Sequence, residues 1–303
     1  MKDKLHLSFI INPIAGKGRA GNMTDAIEKC IDKTKFTYTI LFSEKAGHIK
    51  KITKEAIQQK TDIIIAVGGD GTVNEVARHL VHTDVILGII PVGSGNGLGN
   101  YLKIPHNVEQ ALNIINAFHV KKIDTGTIND RFFVSVAGIG FDASVAKEYA
   151  KFQSRGLKTY VRSVLRKYFR YTPAKYKIRI GENVIKRRAL LITFANSDQF
   201  GYNTSIAPHA SIDDGLFDMC IMKKVPMFAA PIVVSRLFTR KIHKSAYHES
   251  HKVSEATVFR KRTSVIQVDG EPIKMKAKII KVKNYPQSLW VICPEPTTSI
   301  SSF

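Results

Sequence analysis

Long apolar runs are missing from this 303-residue chain. No stretch of ~18 uninterrupted apolar residues occurs, so no membrane-spanning helix is expected. The longest candidate, Val225 to Phe238, is broken by Pro226, Pro231 and Arg236. Cysteine is scarce: Cys30, Cys220 and Cys293 are scattered, odd in number and without metal-ligand spacing. That excludes a disulfide framework and reads as reduced, cytosolic thiols. The chain enters a strand-like run at Leu5–Ile11 almost at once, so a cleaved secretory signal is not expected. The 44% hydrophobic and 23% charged shares are those of a globular protein, which excludes wholesale disorder and a collagen-like fibre.

Acidic residues are also few, 25 against 46 Lys and Arg, for a formal net charge of +21. The excess is localised. Residues 151–188 hold 13 cations and one acid, Glu182, and residues 223–262 hold 10 cations and two acids, Glu249 and Glu255. These tracts carry +12 and +8, nearly the whole excess. A localised basic field implies an anionic partner, and the competing explanation is a solvated face kept for solubility.

The first ~125 residues alternate short apolar strands (Leu5–Ile11, Thr37–Phe42, Ile63–Val67, Val85–Ile90) with helical spacings (22–33, 48–60, 74–81). That pattern predicts a parallel sheet covered on both faces, with ligands bound at the carboxyl ends of its strands. After Asp124 strand-like segments crowd together, including 132–136, 175–180, 184–186, 190–195, 217–222, 256–259, 264–268, 277–282 and 288–292. Gly181-Glu182-Asn183 reads as a hairpin turn. The expected architecture is therefore an α/β N-terminal nucleotide-binding domain, residues 1–125 rejoined by 292–303, followed by a C-terminal β-sandwich domain, residues 126–291.

Three glycine-rich segments each follow an expected strand. The first, Asn12-Pro13-Ile14-Ala15-Gly16-Lys17-Gly18-Arg19-Ala20-Gly21, has the dinucleotide-fingerprint spacing, but Asn12-Pro13 spoils the tight strand–turn–helix geometry. The second is Gly68-Gly69-Asp70-Gly71-Thr72-Val73-Asn74-Glu75. Glycines let backbone N–H groups approach phosphate, and a carboxylate among them suits a metal or a reacting hydroxyl. The plainer alternative is a turn with Asp70 as helix N-cap. The third, Pro91 to Asn100, alternates four glycines and is either a close-approach loop or a flexible surface loop.

The order NP-x-x-G-K, GGDGT-x-NEV, P-x-GSGN and a late VDGE resembles the diacylglycerol kinase catalytic-domain family, which includes soluble bacterial diacylglycerol kinases and the sphingosine and ceramide kinases. The resemblance spans essentially the whole chain. It implies ATP as phosphoryl donor, Mg²⁺ and a lipid acceptor. It implies nucleotide contacts at Asn12, Pro13, Ile14, Ala15, Gly16, Ser43, Gly69, Asp70, Gly71, Thr72, Val73, Asn74, Glu75 and Ser94. It places the catalytic base at Glu271, with Asp70 the other catalytic residue. A structural metal falls to Asp214 with the Ser211 and Leu216 carbonyls, and Lys17 and Asp124 join a charged network towards a second metal. Gly97 departs from the Asp of many soluble bacterial diacylglycerol kinases and opens the choice of acceptor. NAD kinases share GGDG, and an NAD kinase-type enzyme or a nucleotide-gated membrane-binding module without turnover are the competing functions.

Asp269, two residues before Glu271, is expected to converge on the same chemistry, unless Asp269-Gly270-Glu271 is only a hairpin turn. Asp213, Asp214 and Asp218 equally suit a solvated Asx turn. The span 154–170 places Leu157, Tyr160, Val161, Val164, Leu165, Tyr168 and Phe169 on one stripe among six cations. Such a stripe suits an anionic membrane interface or core packing. No aromatic-interleaved nucleic-acid motif occurs, so no nucleic-acid partner is expected. The expected protein is cytoplasmic and peripheral to the inner face of the membrane, docked by its basic second domain, and a homodimer is compatible with the sequence.

Overall fold

The computed structural model describes residues 4–16, 18, 23–45, 47–152, 156–201, 204–261 and 264–295. Lys17, Gly21, Ser154 and Arg155, and most of the expected 292–303 return, lie outside these. The chain divides into two compact units. One runs through Gly93, with Leu102–Lys122 and the residues from Leu289; the other comprises Ser94–Tyr101 and Ile123–Ser288.

In the first unit β1 (Leu5–Ile11), β2 (Phe36–Phe42), β3 (Ile63–Gly68) and β4 (Ile86–Pro91) form a parallel sheet in the order β2-β1-β3-β4. All six residues of β3 are buried, as its β-branched, apolar sequence requires of a strand covered on both faces. α1 (Thr24–Cys30) packs with a helix at 108–117, and α2 (His48–Gln58) packs with α3 (Asp70–Leu80). α3 buries Val73, Val76, Ala77 and Leu80 at helical spacing. It begins four residues before the expected start at 74, so Asp70 to Val73 are helical. The winding reverses between β1 and β3, which makes their carboxyl ends the topological switch point.

α4 (Gly97–Tyr101) belongs to the second unit. The Tyr101 hydroxyl contacts Ala210 O at 3.4 Å and accepts from the Ile212 N–H at 3.2 Å. These bonds explain why 94–101 leaves the first unit, contrary to the division expected from pattern alone. α5 (Val108–Ala117) starts at Asn107, whose side chain accepts from the Gln110 N–H, and returns to the first unit. The boundaries then fall at 122/123 and 288/289 rather than at 125 and 291.

The second unit is a sandwich. Its strands are β5 (Val120–Ile128), β6 (Arg131–Phe133), β7 (Val136–Gly140), β8 (Ala174–Ile180), β9 (Asn183–Ala189), β10 (Leu191–Ala195), a small hairpin of β11 (Gln199–Gly201) and β12 (Thr204–Ser205), β13 (Phe217–Met222), β14 (His248–Val253), β15 (Glu255–Arg260), β16 (Ser264–Val268), β17 (Glu271–Met275) and β18 (Ile279–Ile292), the start of β5 and the end of β18 belonging to the first unit. One sheet runs β14-β13-β10-β7-β16-β17; the other contains β9-β8-β15-β18, with β5 on β18 and β6 on β5. Phe133, Ile139, Ile178, Phe194, Phe217, Met219, Val258 and Ile280 form the apolar layer between them. The expected strands at 277–282 and 288–292 are one strand, β18, continuous through Pro286 and Gln287. Helices α6 (Phe141–Tyr149), α7 (Leu157–Tyr168) and α8 (Ala230–Phe238) contribute to a second apolar cluster with Leu190, Cys220, Val225 and Ile242.

Candidate active site

The strand ends of the first unit meet through backbone. Asn12 closes β1 by donating its N–H to Val67 O at 3.1 Å, and its side-chain amide reaches Thr72 Oγ1 at 3.4 Å in α3. Pro13 and Ile14 lead into a turn in which the Ala15 N–H donates to Asn12 O. Gly16 follows with φ +60°, and a Cβ there would lie 2.6 Å from Val92 O. Left-handed backbone pressed on a carbonyl requires glycine. A Cβ on Gly69 would stand 3.2 Å from the Gly93 Cα. The loops after β1, β3 and β4 are therefore in contact at the switch point.

α3 opens this junction to an anion. Its N-cap is Gly69, in extended backbone and with no side-chain cap, so Asp70 is the first helical residue rather than the cap. The first-turn N–H groups carry the helix's positive partial charge, and a Cβ on Gly71 would meet nothing within 4 Å. Other expected nucleotide residues serve the scaffold. Thr72 and Val73 are buried, and the Val73 N–H is spent on Gly69 O. The Glu75 carboxylate accepts from the Lys50 N–H at 3.3 Å, at the start of α2. Ser43 is buried after β2, its N–H donating to Ile11 O at 2.8 Å. Ile14 is exposed, Asn74 half-buried, and Ser94 exposed in the second unit.

In the second unit Asp269 and Gly270 join β16 to β17 as a two-residue turn, with Val268 paired to Glu271. Their φ values, +45° and +86°, are those of the type I′ turn that Asp-Gly favours. The Asp269 carboxylate accepts from the N–H groups of Val134 at 2.9 Å, Ser135 at 2.8 Å and Val136 at 2.9 Å. The Asp269 carboxylate is thus spent on anchoring the turn to the backbone. These N–H groups lie at the break that divides the strand expected at 132–136. Glu271 is exposed.

Two residues that sequence reasoning missed support this hairpin. Gln267 is buried, and its Oε1 accepts from the Gly270 N–H at 2.9 Å. Its side chain also hydrogen-bonds the buried Asp142, whose carboxyl is pushed up to about 7 by burial, against hydrogen bonds from the Ala143 N–H, Thr193 and Gln267. Gly138 makes room for this carboxyl: a Cβ there would lie 1.6 Å from Asp142 Oδ2, and no local sequence signal announces the pair.

The expected metal residues are gathered, but around N–H donors. Both Asp124 oxygens accept from backbone, Oδ2 from Gly215 at 2.6 Å and Oδ1 from Gln287 at 2.7 Å. Burial raises the Asp124 carboxyl above its ordinary range, and these two bonds pull it back in part. Asp214 Oδ1 accepts from the Leu216 N–H at 3.0 Å, and Oδ2 from Lys252 Nζ at 2.7 Å. Ser211 Oγ donates to Asp213 at 2.6 Å. With every Asp124 and Asp214 oxygen facing a donor, this set does not fit a divalent cation. No group of three or more metal-ligating side chains occurs among the described residues.

The diacylglycerol kinase catalytic-domain model matches residues 6–128, and the model of the YegS C-terminal NAD kinase beta sandwich-like domain matches residues 135–293. A diacylglycerol kinase of Staphylococcus aureus (strain MRSA252) is 30% identical, over 71% of this chain and 70% of that protein. The chain belongs to the diacylglycerol kinase catalytic-domain family. An uncharacterized protein of Synechocystis sp. is also 30% identical, over 94% of this chain and 70% of its own length. The crystal structure of a diacylglycerol kinase from Bacillus anthracis str. Sterne shares the fold, with a TM-score of 0.76 at 23% identity over 97% of this chain and 99% of that one. The family architecture, an α/β unit followed by a β-sandwich, is the one found here.

Proposed function

We propose that this protein is an ATP-dependent lipid kinase. The observation that carries this reading is the junction of three glycine-bearing strand ends at the uncapped N-terminus of α3, in a chain of this family. The first-turn N–H groups of α3 hold nucleotide phosphate, and Asp70 holds the Mg²⁺ that arrives with ATP as substrate. Glu271 takes the proton of the acceptor hydroxyl. The hydroxyl oxygen then bonds to the γ-phosphorus, the bond from that phosphorus to the bridging oxygen breaks, and ADP leaves. Asp269 and Gln267 fix the turn from which Glu271 extends. The acceptor is a lipid alcohol of the diacylglycerol or sphingoid class.

The protein works at the cytoplasmic face of an anionic membrane. Supporting this, α7 is split: Tyr160, Val164 and Tyr168 pack on the apolar cluster, while Val161, Leu165 and Phe169 are exposed beside Lys158 and Arg162. Among the described residues no helix is long and apolar enough to cross a membrane. The deciding experiment is ATP turnover across mixed micelles of diacylglycerol, ceramide and sphingoid bases, with NAD in parallel. Phosphorylation of a lipid is expected; phosphorylation of NAD with no lipid turned over refutes the assignment.

A further inference from the structure

Residues 227–238 present an apolar surface that no role above uses. Phe228 is 84% exposed, and Met227, Ile232, Val234 and Phe238 are each exposed by about half. Val233 is the buried residue of α8, with Ala230 and Leu237 packed partly against the cluster beneath. A helix apolar on nearly all sides ordinarily lies in a core. Here one side is left to solvent, and a contiguous exposed apolar patch marks an interaction surface.

Cations flank the patch in the sequence. Lys223 and Lys224 precede it, and Arg236, Arg240, Lys241 and Lys244 lie within or after it. Lys223, Lys224 and Arg188, with Thr172 and Pro173, line a cleft of about 420 Å³ that has no acidic residue in its wall. Between Lys224 and Met227 the buried Val225 ties the chain down, its carbonyl accepting from the Tyr168 hydroxyl. An exposed apolar segment that follows a basic cleft directly in the chain suits the boundary between headgroups and acyl chains of an anionic leaflet. A second copy of this chain would instead bring a like-charged face, since residues 223–262 carry +8.

We propose that Met227–Phe238 is an interfacial anchor that inserts into an anionic phospholipid leaflet, with a lipid phosphate seated in the Arg188–Lys223–Lys224 cleft. This rests on the membrane reading above and names its inserting element. Flotation of the full chain with phosphatidylcholine vesicles, with and without phosphatidylglycerol, tests it. The variants are Phe228→Glu/Ile232→Glu and Arg188→Glu/Lys223→Glu, with activity on a short-chain, water-soluble acceptor measured in parallel. Both variants are expected to lose at least tenfold in binding to phosphatidylglycerol vesicles, and wild type to bind pure phosphatidylcholine far less. Inorganic phosphate at millimolar concentration is expected to leave vesicle binding unchanged, which separates a lipid headgroup from a free anion. Vesicle binding by Phe228→Glu/Ile232→Glu at wild-type strength overturns the anchor. So does a shift from dimer to monomer in sedimentation, which would give the patch to a second copy. Wild type that binds phosphatidylglycerol vesicles but turns over no acceptor faults the kinase reading instead.

A separate observation concerns Lys252. Its ammonium stands 2.7 Å from Asp214 Oδ2 and 2.8 Å from Asp218 Oδ2, on the strand beside the loop for which the resemblance implies a metal. We infer that Lys252 is the built-in counter-ion of this loop, so that the second unit folds without a divalent cation. Thermal unfolding of wild type is expected to be unchanged between EDTA and millimolar Mg²⁺ or Ca²⁺. Lys252→Met is expected to melt lower in EDTA and to recover with either ion, while Lys252→Met/Asp214→Asn does not recover. A wild-type midpoint that falls in EDTA, measurable even if the variants do not fold, overturns the inference.

Discussion

Replacing Asp269 by Asn separates the carboxylate's charge from the turn it sits in. Asn-Gly favours the type I′ turn as strongly as Asp-Gly, and Asn tolerates the positive φ of +45° at this position. The backbone is therefore unperturbed, and any effect arises from the three N–H bonds. Ser135 and Val136 both donate to Oδ1, which Asn retains as a neutral amide oxygen. Bonds to a charged acceptor contribute ~1.5–3 kcal/mol against ~0.5–1.5 for neutral ones, so these two weaken by about 1 kcal/mol each. The Val134 N–H, now at Oδ2, would face an amide NH₂, donor against donor, at a penalty of ~1–3 kcal/mol. The sum is ~3–5 kcal/mol. At ~2–4 °C per kcal/mol for a domain of this size, the melting midpoint falls by at least about 6 °C. Differential scanning calorimetry reads that fall, and steady-state kinetics should show kcat reduced with KM for ATP unchanged, because Glu271 is intact but less firmly held. A midpoint within about 2 °C of wild type would refute the anchoring role.

Three further outcomes are expected. Glu271→Gln lowers kcat by about two orders of magnitude or more with nucleotide affinity kept, as for a general base; collapse of ATP binding with kcat preserved, read by single-turnover kinetics, places the base elsewhere. Asp70→Ala abolishes turnover and leaves the unfolding midpoint within a few degrees of wild type, since Asp70 is half-buried at the helix start and outside the core; retained activity sinks the assignment of this loop. Asp142 binds its proton more tightly folded, at about 7, than unfolded, near 3.8, so this group makes the fold less stable as pH rises from about 4 to about 7. Urea midpoints of wild type and Asp142→Asn between pH 5 and 8 should diverge accordingly, the variant having the flatter profile, and parallel profiles would remove Asp142 from the pH response.

Legibility in the sequence followed the range of the interactions involved. β1 and β13 fall where their local patterns place them, because buried strands announce themselves by composition over six or seven residues. The start of α3 did not, since Gly69-Asp70-Gly71 reads as loop by propensity; packing of Val73 and Val76 on the sheet outweighs two glycines. α8 was not foreseen: Val225 to Phe238 reads only as an apolar run broken by Pro226, Pro231 and Arg236, and exposure of Phe228 is a tertiary fact. Asp142 and Lys252 depend on Gly138 and on Asp214 and Asp218, neighbours that a linear reading does not pair.

The late Val268-Asp269-Gly270-Glu271 run shows why two acids one residue apart are not interchangeable. In a two-residue I′ turn the first acid occupies the turn itself, and Glu271 opens the next strand. Asp269 is thereby brought to the Val134–Val136 backbone, where β6 has ended and β7 begins, and N–H groups that a ladder would have taken are free to meet it. Without that carboxylate the N–H groups of these buried residues would lack an acceptor, a penalty that acts on the fold whether or not the enzyme turns over. The Glu271 carboxylate is exposed, while its backbone pairs with Val268 across the hairpin. An exposed carboxylate at the end of a turn clamped by Asp269 and Gln267 is therefore positioned by its neighbours, which is what the Glu271→Gln comparison of kcat with nucleotide affinity puts to the test.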